Sequence, residues 1–377
     1  MKPDQVRQLT GVRIIAAMWV VTFHLKGNVF YAYPEWKGWL EPLIAHGDLG
    51  VDLFFALSGF ILSYNYAERM GLRFERSTAT AFWWARVARV WPVFVVTLVW
   101  ATAYHGFLMG ASKADPVAPH DFSPWSFFRQ LTLTSLWTRG DFDRVMFNGP
   151  SWSVSAEAFA YALFPVVVLL YWRLGRTLKR GTLLAWSLVA VAPLGIWVFA
   201  TDTLYPSWSW LLRIACGFTG GALMFQALRG LEPTPRQRAW ASHAALGLVV
   251  VFVAGLYLSH HFGYERFAPG LSPLFVAIIG LLAIGDRHIV RLLSTRAFVT
   301  GGAASYSIYM VHMLIIEPVV GAEWEWHWLT PGTQAAKLIW LVLPVVVSVA
   351  GWALWRFFEE PARHALRAAS KLARETQ

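Results

Sequence analysis

Residues 9–26 read LTGVRIIAAMWVVTFHLK, and the fold turns on how that stretch behaves in water and in lipid. An apolar run of about 18 residues is long enough to carry a helix across the hydrocarbon core of a bilayer. Helix is forced there, because backbone amides facing lipid must be paired within their own segment. The basic residues of MKPDQVRQLTGVR precede the run, as they do in a signal peptide. No small-residue cleavage site follows, and His24 and Lys26 interrupt its end, so it is expected to be retained as a first span. Two of its side chains, Arg13 and His24, are out of place in lipid.

Similar runs recur along the chain. Hydrophobic residues make up 56% of it and charged residues 14%, where roughly a quarter would be charged in a soluble domain. Spans are expected at 9–26, 49–67, 81–107, 152–172, 182–201, 207–228, 240–261, 268–285, 297–319 and 334–358. The fold class is therefore an all-α integral membrane bundle of about ten helices, read as a single transmembrane domain over residues 1–377. An even count leaves both termini on one side. Lys2, Arg7, Arg69, Arg73, Arg76, Arg173, Arg176, Lys179, Arg180, Arg229, Arg236, Arg238, Arg287, Arg291, Arg296 and the basic tail from Arg356 to Arg374 fall in one set of connections. The other set holds Lys26, Lys37, Lys113, Arg129, Arg139, Arg144 and Arg266. A roughly threefold excess in the first set predicts cytoplasmic termini. The net charge of +10 is thus explained by orientation, and nucleic acid is not expected as a partner. A lone cysteine, Cys216, excludes an intrachain disulfide and a Cys-based metal site, and no metal is expected. Cys216 and Ser58 are read as helix-packing residues. The longest outer segment, 108–150, contains SPWSFFRQLTLTSLW (residues 123–137). It is read as a lid or acceptor-recognition element, with a plain connector as the alternative.

Ionisable groups at membrane depth are costly and mark candidate sites. His24 lies near the outer end of the first span and Asp52 just inside the second. Glu157 is about 8 Å and Arg213 about 9 Å into their spans at a rise of about 1.5 Å per residue. His312 falls in the outer half of the ninth span. Five spans thus place an ionisable group in roughly one layer. Either a structural polar network or a proton-handling site fits, and paired histidines and carboxylates favour the second. Arg13 and His24 are eleven residues apart, which returns a helix to within roughly 20° and separates them by about 16 Å. That face suits an extended donor with its anionic end at Arg13, although Arg13 alone would read as a snorkelling residue. Arg86 and Arg89, spaced by three, share a face that suits a phosphate. Trp152 and Tyr161 either pack or form an aromatic wall for a sugar. A haem held by His24 and His312 is disfavoured by the neighbouring carboxylates and arginines.

In order along the chain, LTGVRIIAAMWVVTFH, GVDLFFALSGFIL, RVARVWP, GPSWSVSAEAFAYALFP, SYSIYMVH and FFEEPARH resemble the membrane-bound acyltransferase type 3 family, which O-acylates cell-surface carbohydrates. The resemblance implies ten spans, a cytoplasmic acyl-CoA donor, usually acetyl-CoA, and an acceptor hydroxyl at the outer side. It implies that Arg13 and His24 are the essential pair, that Arg86 and Arg89 bind the donor, and that Glu157 is the acidic position of the fourth span. The chain stops soon after Pro361, so the form without a C-terminal esterase-like domain is expected. On this reading His24 is a general base or an acyl-carrying nucleophile, and Glu157 or Asp52 orients it. Arg213 and His312 then hold the acceptor or the developing oxyanion. The expected setting is a bacterial cytoplasmic (inner) membrane. Expected partners are membrane lipids and a carbohydrate or lipid-linked glycan acceptor, whether exopolysaccharide, O-antigen, peptidoglycan or another surface glycan. The competing function is a proton-coupled transporter or glycan flippase using the same groups, but no internal pseudo-repeat supports it. A third is a scaffold or sensor without activity.

Overall fold

The computed structural model describes residues 6–111, 119–141, 144–326 and 333–375. Lys2, Lys113 and the side chains of Lys371 and Arg374 lie outside the described residues, as do 112–118 and 142–143 of the long segment. All regular structure among the described residues is helical, and ten helices are long and apolar enough to cross a membrane. They are α1 (Arg7–Ala32), α2 (Leu49–Met70), α3 (Arg76–Gly110), α4 (Trp152–Thr177), α5 (Arg180–Thr201), α6 (Ser209–Leu228), α7 (Pro235–His261), α8 (Glu265–Ile284), α9 (Arg296–Trp326) and α10 (Gln334–Leu354). The chain is a multi-pass membrane protein of the expected class.

The differences from the expected spans lie at ends and breaks. Helix α1 continues to Ala32, and α3 begins at Arg76, where only sequence polarity argued for stopping. Helix α5 is interrupted between Val189 and Pro193; Pro193 restarts it at a first-turn position, where a missing N–H is tolerated. Helix α10 runs into a π-helical turn, Trp355–Glu359, and then an amphipathic helix, Glu360–Glu375. Such π turns are concentrated at functional sites.

Contacts divide the chain into two compact units. The first comprises Met1–Val20, Pro42–Ala79 and Ala162–Ala303; the second comprises Val21–Glu41, Thr80–Tyr161 and Ala304–Gln377. In the first unit, α2 and α6 touch through their backbones. A Cβ on Gly59 would stand 2.0 Å from the Phe218 carbonyl oxygen, and one on Gly221 would stand 2.0 Å from that of Ala56. Lipid offers no hydrophobic gain for helix association, so close approach through small residues supplies the packing.

In the second unit, the segment before α4 is tied down by its own hydrogen bonds. Ser123 caps the helix Pro124–Leu131, accepting from the Ser126 N–H at 3.1 Å. The Trp91 indole donates to the Leu131 carbonyl at 3.1 Å. His105 Nε2 lies 2.8 Å from the Phe147 carbonyl. Leu136, Met146 and Phe147 are buried, so the described part of this segment is packed structure.

Candidate active site

The second unit carries the two histidines. His24 comes from α1 and His312 from α9; His312 Nε2 lies 3.3 Å from His24 Nδ1, with ring centroids 4.9 Å apart. His312 is fully buried and His24 half-buried. The other nitrogen of His312, Nδ1, meets the backbone carbonyl of Tyr309 at hydrogen-bond distance. A carbonyl oxygen only accepts, so Nδ1 of His312 carries a proton. With both rings neutral, Nε2 of His312 is then the acceptor and Nδ1 of His24 the donor. The basic lone pair of His24 therefore resides on Nε2. One backbone carbonyl thus sets the tautomer of both rings, a division of labour familiar from oriented catalytic histidines.

Tyr309 is held in turn. Its hydroxyl donates to the Pro150 carbonyl at 2.9 Å and lies 2.9 Å from Ser153 Oγ. Trp152 opens α4 beside Ser153 and is half-buried. Tyr306, one turn before Tyr309, donates to the Val90 carbonyl at 2.8 Å. Around it, within electrostatic range, stand Arg89, Glu157, Tyr161 and Tyr309.

The arginine pair on α3 is differentiated by its surroundings. Arg86 lies over the rings of Phe82 and Tyr161, 5.8 Å and 5.9 Å from their centroids. Arg89 forms an ion pair with Glu359 and lies 5.6 Å from the Tyr306 centroid. Glu359 is fully buried in the π turn and accepts from Ser307 Oγ at 2.6 Å. Sequence reasoning singled out FFEEPARH without giving Glu359 a role. The available signal was a carboxylate directly after an apolar span, where an opposite charge is needed.

The first unit holds the other charges. Arg213 and Asp52, both buried, form a bidentate pair: Nε to Oδ1 at 3.0 Å and Nη2 to Oδ2 at 2.8 Å. Nη2 of Arg213 also donates to the Asp48 carbonyl at 3.0 Å, and the Tyr205 hydroxyl donates to the Asp48 carboxylate. Burial, and then the charge of Asp48, holds the Tyr205 phenol well above its ordinary range, so it stays a donor. Arg13 is half-buried, 5.8 Å from the Phe54 centroid. Four of the five residues placed in one layer are thus paired: His24 with His312 in one unit, and Asp52 with Arg213 in the other; Glu157 lies near Tyr306 in the second unit. The structure sets the imidazole of His312 against His24, whereas the sequence places His312 with the acceptor or oxyanion.

A ten-helix membrane protein with a tautomer-locked histidine pair and two arginines on a neighbouring helix has the parts of a membrane-embedded transferase. Residues 6–356 match the acyltransferase domain that defines the type 3 acyltransferases, and the chain belongs to that family. An acyltransferase of Streptomyces mycarofaciens, MdmB, is 26% identical, with 97% of this chain and 94% of that protein covered. Nodulation protein 10 of Rhizobium leguminosarum bv. viciae is 24% identical over 93% of this chain and 91% of its own length. The peptidoglycan O-acetyltransferase OatA of Listeria monocytogenes is also 24% identical, over 82% of this chain and 49% of that protein. No solved structure matches the chain.

Proposed function

We propose that the protein is an O-acyltransferase that moves an acetyl group from acetyl-CoA to a hydroxyl of a carbohydrate, with His24 as general base. The observation that carries this reading is the tautomer chain Tyr309–His312–His24, which leaves the basic lone pair on Nε2 of His24. The acceptor hydroxyl gives its proton to Nε2 while its oxygen forms a bond to the thioester carbon. The carbon–sulfur bond then breaks, and the proton on Nε2 passes to the departing thiolate. As His24 becomes charged, its Nδ1–H bond to His312 strengthens, so His312 is a positioning residue. Arg86 and Arg89 take the donor phosphates, with Glu359 orienting Arg89. Glu157, Trp152 and Tyr161 line the same unit and are assigned to substrate. Asp52 and Arg213 are assigned to holding α2 against α6.

The charge asymmetry supports cytoplasmic termini, a cytoplasmic donor and an acceptor at the outer face of a bacterial cytoplasmic membrane. The name of the Listeria relative supports a carbohydrate acceptor: peptidoglycan, exopolysaccharide, O-antigen, or a lipid-linked or other surface glycan. The test is acetyl transfer from radiolabelled acetyl-CoA to isolated surface glycans by the purified, reconstituted protein. Label in the glycan that is lost with His24→Ala is expected. Normal labelling by His24→Ala, or glycan translocation without labelling, would overturn the reading.

A further inference from the structure

Two buried amides in the segment before α4 have no part in the chemistry above. Gln130, on the helix Pro124–Leu131, is fully buried, and its Oε1 accepts from the Phe147 N–H at 2.9 Å. Asn148, the residue after Phe147, is 2% exposed, and its Nδ2 donates to the Met310 carbonyl at 2.8 Å. Met310 lies between Tyr309 and His312 on α9, within one turn of each. Each anchor fixes which way its amide points. Gln130 is left presenting a donor, Nε2, and Asn148 an acceptor, Oδ1. Neither atom has a hydrogen-bond partner among the described residues.

Native interiors seldom leave such groups unsatisfied, and those that persist call for an explanation. Here the two orphaned atoms are complementary in kind, and their residues meet the chain at adjacent positions: Gln130 is anchored on the N–H of Phe147, the residue before Asn148. A single hydroxyl accepts from one and donates to the other. A carboxylate would meet Oδ1 with a second acceptor, and a C–H would satisfy neither atom.

Resting on the acetyl-transfer reading above, we propose that Gln130 Nε2 and Asn148 Oδ1 form an acceptor subsite that grips a non-reacting hydroxyl of a neutral polyhydroxylated acceptor. The reacting hydroxyl is thereby held towards His24 by a neighbour on the same ring. A site built to hydrogen-bond a hydroxyl rejects the analogue lacking it, because its own buried groups are then left unpaired.

The experiment uses the full chain in detergent with acetyl-CoA and two sets of probes. The first is the methyl glycosides of glucose, galactose, mannose and N-acetylglucosamine; the second is the single-deoxy analogues of whichever glycoside is acetylated. One deoxy position is expected to raise the acceptor KM at least tenfold. Gln130→Glu keeps an oxygen for the Phe147 N–H but replaces the presented donor with an acceptor. In that variant the penalty at the same deoxy position is expected to collapse to under threefold, because the contact is already lost. If every deoxy analogue of the parent enzyme keeps its KM within twofold, the subsite is refuted without any variant. If Gln130→Glu lowers the melting temperature and leaves the deoxy penalty intact, the amides hold only a buried water and the proposal fails. If the parent protein labels isolated surface glycans but none of the glycosides, the grip on a single neutral sugar ring is refuted; if it labels neither, the acetyl-transfer reading on which this one stands fails instead.

Discussion

The two buried pairs, Asp52–Arg213 in the first unit and His24–His312 in the second, look alike in the sequence and differ in what they leave over. Arg213 and Asp52 are fixed to each other at several points: two short parallel bonds join them, and a backbone carbonyl takes a further guanidinium donor. Such a pair resists separation, as a clamp between two helices must. The histidines are joined by one bond, and the direction of that bond is set by a third group. What remains is an imidazole nitrogen with a defined lone pair. Polarity in a membrane interior therefore marks two jobs, and the way each pair is held separates them.

That contrast can be broken by substitution, beginning with the largest effect. His24→Ala is expected to lower kcat/KM for acetyl transfer by about 10²- to 10⁴-fold, the range for loss of a general base, with the melting temperature little changed. Arg213→Met is expected to act on stability. It strands a buried carboxylate, which costs about 3–5 kcal/mol, and Arg213→Met with Asp52→Leu should recover most of the loss. Thermal unfolding in detergent reads both. If the single and double variants melt together, the pair is not the clamp described. His312→Phe should lower kcat by roughly 10²-fold through loss of the tautomer lock. His312→Gln, whose amide oxygen can accept from His24 Nδ1, should restore part of that rate. Equal rates for the two variants would reduce His312 to packing.

The smallest expected effect lies outside the spans. The Ser123 hydrogen bond, then Arg139, holds the Asp121 carboxyl below its usual range. A depressed carboxylate contributes stability above its unfolded pKa of about 3.9 and loses it as pH falls through the folded value. Tryptophan fluorescence of the segment should thus be flat from about pH 5 upward and change below about pH 4. Asp121→Asn should abolish that acid change; an unaltered profile would assign it elsewhere.

Much of the fold was legible because span length and charge asymmetry are one-dimensional properties. The ten helices follow from span length. Depth is also one-dimensional, so rise per residue could place His24, Asp52, Glu157, Arg213 and His312 in one layer. Which of them meet is a matter of helix rotation and neighbour choice, and neither has a signature in a single sequence. The bidentate pairing of Asp52 with Arg213 and the lock on His24 through His312 depend on those hidden coordinates. The role of Glu359 depends on Arg89, a partner far away in the sequence, and that pairing is equally hidden. The break in α5 was missed because Ala190, Val191 and Ala192 are as apolar as the helix on either side.

The most direct test is the tautomer itself. Nitrogen-15 spectra of the histidine-labelled protein in lipid, with His24→Gln and His312→Gln as subtraction controls, identify which ring nitrogens carry protons. The expected result is Nδ1–H on both rings, with the unprotonated nitrogen of His24 at Nε2. An Nε2–H tautomer at His24 would contradict the assignment of that nitrogen as the base.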